Sequence, residues 1–147
     1  MLGVDGVIIV DIPPEESDEI APVLQQKNLN LIRLLTPTTD ASRLAKILHG
    51  AGGFLYYVSI TGVTGTATAD PVRVGAHIKD IKQSTALPVV AGFGIKTAED
   101  AQNMVKIADG VVVGSALVQS VAEAAGADPV AKIDQQAKSL AKALRAA

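Results

Sequence analysis

The sequence predicts an α/β fold: an arc of about five parallel strands with outer helices, forming part of a (β/α)8 barrel. Three observations carry that prediction. Apolar runs of strand length alternate with helix-period patterns from end to end, as parallel strands joined by crossover helices require. Three of those runs, Tyr56 to Gly65, Val89 to Gly94 and Val111 to Ser115, close on glycine and pass into a helical pattern. Finally, 147 residues are too few for a whole eight-unit barrel, which typically takes about 250.

The elements follow in order. Gly6 to Asp11 reads as the first strand, closed by Pro13-Pro14. A helix comes next, with Ile20, Val23 and Leu24 as its inner face, Pro22 shortening or kinking it, and Asn28 as its stop. Leu29 to Leu35 is the second strand. Asp40 or Thr39 caps a helix whose Leu44, Ile47 and Leu48 face inward and which Gly50 ends. Gly53 to Ser59 is the third strand, and the long Gly/Thr/Ala-rich stretch from Ile60 to Asp70 is either a lid or an ordinary loop. Asp70-Pro71 opens a helix carrying Val74, Ile78 and Ile81. Leu87 to Ala91 is the fourth strand. A capping box at Thr97 and Asp100 starts a helix with Ala101, Met104, Val105 and Ala108 on its apolar face. Gly110 to Val113 is the fifth strand, and Asp128-Pro129 starts a last helix with Val130, Ile133, Ala137, Leu140, Ala141 and Leu144. No linker divides the chain, so residues 1–147 read as one domain or part of one.

Composition narrows the function classes. The chain is 48% hydrophobic and 19% charged, with a net charge of −2 and no basic run, so nucleic acid and anionic membrane are not expected partners. It has no cysteine, which agrees with a cytoplasmic protein. No apolar stretch approaches the roughly 18 residues of a membrane span, and no leader pattern opens the chain.

The glycine-ended strands are the chemistry. Glycine lets backbone N–H groups close on an anion, and a following helix adds the positive end of its dipole. Each turn alone could be only a tight connection; several at strand C-terminal ends point to a phosphate ester. Ser115 would donate its hydroxyl to that phosphate or cap the helix behind it. Among carboxylates only Asp11 stands at a strand's top end, where a loop-fixing acceptor is the commoner role than a base. His49 and His77 read as solvated, and no cluster has metal-ligand spacing, so neither metal nor acid–base pair is expected.

The runs Gly3 to Glu16, Leu34 to Thr39, Tyr56 to Gly65, Gly92 to Ile95 and Gly114 to Ala116 resemble, in order and spacing, the tryptophan synthase α-subunit family. The resemblance runs from the family's strand 4 to the end of its barrel. It implies a lyase of tryptophan biosynthesis that cleaves indole-3-glycerol phosphate to indole and glyceraldehyde 3-phosphate without metal or cofactor, in an α2β2 complex with a β subunit. Carried over by position, Gly65, Gly94, Gly114 and Ser115 would hold the phosphate. Tyr56, Phe93 and Val112 would line the indole pocket, with Thr64 on the closing loop, and Asp11, Pro13 and Pro14 would face the β subunit. The family's catalytic glutamate and aspartate belong to its second strand and the loop after it, a region with no counterpart here. Two other readings stay open: a different phosphate-binding barrel such as an epimerase, and a non-catalytic half-barrel that binds a phosphate metabolite or a β subunit.

Overall fold

Leucine-rich and β-branched runs form five strands in the computed structural model, which describes residues 3–58, 71–92, 94–124 and 128–145. They are β1 (Gly6–Ile8), β2 (Asn30–Leu35), β3 (Leu55–Val58), β4 (Val89–Gly92) and β5 (Gly110–Val112). All neighbours pair in parallel, in the order β1-β2-β3-β4-β5. The connections carry α1 (Ser17–Gln26), α2 (Ala41–Leu48), α3 (Pro71–Gln83) and α4 (Ala98–Met104), and after β5 come α5 (Ser115–Ala122) and α6 (Pro129–Arg145). The expected α/β arc is therefore the observed one.

β1 is shorter than its sequence suggests. Among the described residues it is an edge strand with β2 as its one neighbour, and it leaves the ladder after the Ile8–Ile32 pair. Residues 9–11 run on as an unpaired strap to a 3₁₀ turn at Pro14–Glu16.

Register sorts the side chains onto two faces. Leu35, Leu55, Tyr57, Val89 and Ala91 point to the helices and meet Leu44 and Ile47 of α2 and Val74, Ile78 and Ile81 of α3 in the main core. A smaller cluster joins Ile95, Ala101 and Leu140, with Val111 and Leu144 packed against it. The opposite, inner face presents Ile8, Ile32, Leu34, Tyr56, Val58, Val90, Gly92 and Val112. It is only partly covered: Ile8 is 43% exposed, and Val10 on the strap 72%.

Most helix boundaries stand where capping chemistry puts them. Asp40 accepts from the Arg43 N–H at 2.8 Å, and Thr97 and Asp100 form the reciprocal capping box. Asn28 and Gly50 adopt positive φ just past α1 and α2. Three expectations need correction. α1 continues four residues beyond Pro22, so the proline does not end it: it stands sixth in the helix, where it removes one donor, and the buried Leu24 holds the turn that follows. Val23 and Val130, expected on inner faces, are exposed, since both lie beside rather than on the buried stripes of α1 and α6.

His77 is the third. Its Nε2 lies 3.0 Å from the Thr39 carbonyl and its Nδ1 3.1 Å from the Tyr57 hydroxyl. A carbonyl only accepts, so Nε2 carries the proton; in that tautomer Nδ1 is left to accept from the Tyr57 hydroxyl. The ring ties α3 to β3 and to the β2–α2 turn, and burial raises the pKa of the Tyr57 phenol. At the other end of the sheet, Asp109 bonds Lys82 and accepts from the Val89 N–H at 2.8 Å, which together hold its carboxyl below the ordinary range.

Candidate functional site

The C-terminal ends of β4 and β5 lie side by side, because Gly92 pairs with Val112. Two residues beyond each stands a turn glycine, Gly94 and Gly114, so the two glycine turns leave the sheet at the same level. Gly94 has φ of +75°, a conformation that strains any other residue. Gly114 is the N-cap of α5, and a Cβ placed on it would meet nothing within 4 Å. Space is open there, at a helix N-terminus, where unpaired N–H groups favour an anion.

Ser115 is the first residue of α5, exposed, and makes no capping bond. The capping alternative is thereby corrected: once glycine takes the N-cap position, the serine hydroxyl one residue on is beyond the geometry that reaches the N2 or N3 donor.

Below these turns, on the inner face, the structure brings Tyr56 and Val112 together around Gly92. A Cβ at Gly92 would lie 2.8 Å from the Tyr56 hydroxyl, 2.9 Å from its Cε2 and 2.8 Å from Val112 Cβ. Gly92 is thus glycine because the tyrosine ring and the valine occupy the space, a packing role that reading it as a turn residue missed. A cross-strand contact of this kind leaves no local signal in sequence.

The remaining expected site residues divide clearly. Thr64, Gly65 and Phe93, with the Ile60 to Asp70 stretch, lie outside the described residues. Asp11 is exposed at the end of the strap, and Pro13 and Pro14 are half-buried where the 3₁₀ turn begins. None of the paired inner-face residues is a carboxylate. Among the described residues no group of His, Cys, Asp and Glu is arranged to hold a metal, and no helix is long and apolar enough to cross a membrane.

Parallel strands in sequential order, outer helices and glycine turns gathered at the strand C-termini define the class, a partial (β/α)8 barrel. Residues 1–146 match the family model described as tryptophan synthase alpha chain, and the chain belongs to that family. It is 51% identical over 145 residues to the tryptophan synthase alpha chain of Novosphingobium aromaticivorans, covering 99% of this chain and 54% of that one. The alpha chain of Erythrobacter litoralis is 50% identical, with 99% and 56% covered. Among solved structures, tryptophan synthase subunit alpha from Legionella pneumophila superposes with a TM-score of 0.86 at 38% identity, over 99% of this chain and 53% of that one. The chain spans about half the length of the curated relatives it matches.

Proposed function

We propose that residues 1–147 are the C-terminal portion of one (β/α)8 barrel domain, from strand 4 onward, and carry the half of a tryptophan synthase α subunit that holds phosphate and indole. The parent reaction is the retro-aldol cleavage of indole-3-glycerol phosphate to indole and glyceraldehyde 3-phosphate, in the cytoplasm, with a β subunit receiving the indole. One observation carries the reading: Gly94, Gly114 and Ser115 stand at adjacent strand ends directly above Tyr56 and Val112. In this assignment Gly65 completes the phosphate cradle, Phe93 completes the aromatic pocket, and Thr64 closes the site. Asp11, Pro13 and Pro14 face the β subunit.

The chemistry divides from the binding. Cleavage needs a base to take the substrate's hydroxyl proton and an acid to protonate the indole carbon, each contributing typically 10²–10⁴-fold. The described inner face supplies apolar surface and a phenol but no carboxylate. Binding that is equal in ground and transition states does not raise turnover. The chain alone therefore binds without cleaving.

Two measurements test this. Titration of the 15N-labelled chain with glycerol 3-phosphate should move the amides of Gly94, Gly114 and Ser115, and shifts confined elsewhere refute the site. Purified chain should release no indole from indole-3-glycerol phosphate above background. Clear turnover that disappears in Asp11→Asn would show that Asp11 serves as a base and would overturn the division.

A further inference from the structure

The N-terminus of α5 stands at one of the two glycine turns, yet α5 is not held there by apolar packing. None of its side chains is fully buried, and none belongs to either hydrophobic cluster of the fold. A helix of eight residues is marginal in water by itself. Where α5 points is therefore set by what it leans on, and its chief neighbour is α6.

Two side chains of α6 reach the two turns. Leu140 is buried with Ile95 and Ala101, and Ile95 directly follows Gly94, so α6 steadies the first turn by packing. Four residues earlier on the same side of α6 stands Gln136. Its Oε1 lies 2.6 Å from Ser120 Oγ on α5, and that hydroxyl is also 3.1 Å from the Ala116 carbonyl in the first turn of α5. The single hydroxyl proton serves the nearer acceptor, Gln136. With the amide turned over, Nε2 donates to Ser120 and the proton goes to Ala116 instead. In both arrangements one bond joins α6 to α5. The other side-chain link, Lys132 to Glu123 at 3.9 Å, is between exposed groups and contributes little.

An anion held by N–H groups from two turns needs both turns aimed at one point, and a small tilt of either spoils the geometry of a directional bond. Residues four apart on a helix are neighbours on one face, so Gln136 and Leu140 fix the two turns relative to each other through one rigid element. We propose that Gln136 is a positioning residue of the phosphate site. Without touching the ligand it sets, through Ser120, the direction in which the N–H groups at the start of α5 point. The inference rests on the reading of Gly94, Gly114 and Ser115 as that site.

The test is NMR titration of the 15N-labelled full chain with glycerol 3-phosphate, in the native chain, Gln136→Met, Ser120→Ala and the double variant. Methionine keeps the length of the side chain and removes its hydrogen bond. Gln136→Met should weaken affinity about fivefold, the worth of one ordinary hydrogen bond. Ser120→Ala should do the same, and the double variant should lose no more than either alone, because both act through one bond. Without ligand, the Ser115 and Ala116 amide signals should already move in all three variants. Gln102→Met is the control: Gln102 Nε2 donates from α4 to the Ala143 carbonyl of α6 at 3.3 Å, so its loss weakens the docking of α6 without touching α5. Its affinity should stay within about twofold of native, since a loss of overall stability does not change binding by the folded chain. If native shifts fall on Gly94, Gly114 and Ser115, the site stands. The inference alone is then overturned if Gln136→Met binds as tightly as native, if the two losses add, if the ligand-free signals stay fixed, or if Gln102→Met weakens binding equally. Native shifts confined elsewhere overturn the phosphate reading and this inference with it.

Discussion

Gly92→Ala tests whether the inner face is packed as the structure shows. The added methyl would sit 2.8 Å from the Tyr56 hydroxyl, 2.9 Å from Tyr56 Cε2 and 2.8 Å from Val112 Cβ, well inside the 3.4 Å where ordinary contact begins. The tyrosine contacts can relax, because the ring is half-buried and its far end can swing. Val112 Cβ cannot, because it is fixed to the backbone of the neighbouring strand, so β4 and β5 must part locally. Overpacking of this kind typically costs 1–3 kcal/mol, and about 2 kcal/mol is expected here. Gly110→Ala is the matched control on the same face. Its Cβ would meet Val90 methyls at 3.6 and 3.7 Å, which is ordinary contact, so its stability should change by less than about 0.5 kcal/mol. Urea unfolding followed by circular dichroism should show a lowered midpoint with unchanged slope for Gly92→Ala alone. Equal midpoints for the two variants would refute the packing argument.

Gly114→Ala should cost about 0.5–1 kcal/mol of stability, because alanine is a poorer N-cap than glycine, and should also weaken glycerol 3-phosphate binding, because its Cβ enters open space that only a ligand would fill; unchanged affinity by NMR titration would remove Gly114 from the site. Tyr57→Phe should cost about 1 kcal/mol by urea unfolding, through the unpartnered Nδ1 it leaves on His77. Asp100 and Asp109 both have depressed pKa values, Asp100 through the Thr97 and Lys96 N–H groups and Asp109 through Lys82 and the Val89 N–H. Their stabilisation is complete above the ordinary carboxylate range, about 4, and is lost as pH falls through and below it; Asp109→Asn should flatten that acid limb of the stability–pH curve. Sedimentation should show concentration-dependent self-association of the chain, reduced by Ile8→Lys with Val10→Lys, since both residues stand exposed on or beside the open inner face.

What was legible in the sequence is what local chemistry writes there. The Asp40 cap, the Thr97–Asp100 capping box, the stop residues Asn28 and Gly50 and the buried stripes of α2 and α3 each follow from side chains within one or two turns. The errors fall where a distant partner decides. Among the described residues β1 pairs only with β2 and leaves that ladder after Ile8, which no property of Ile9 or Val10 announces. His77 is tied to residues 20 and 38 positions away, so a histidine in mid-helix read as solvated.

The site divides by the same rule. Gly94 and Gly114 were legible as turn glycines, because a turn that leaves a strand end writes its demand for glycine at single positions, next to a strand end that hydrophobic pattern locates. Gly92 was legible as a glycine but not in its role, because its constraint comes from Tyr56 on one neighbouring strand and Val112 on the other. Ser120 and Gln136 went unread for a related reason. They stand 16 positions apart on separate helices, and neither carries a signal within its own helix. Their bond becomes visible only once α5 lies against α6. Because α5 has no fully buried side chain of its own, that bond decides where the turn behind Gly114 points.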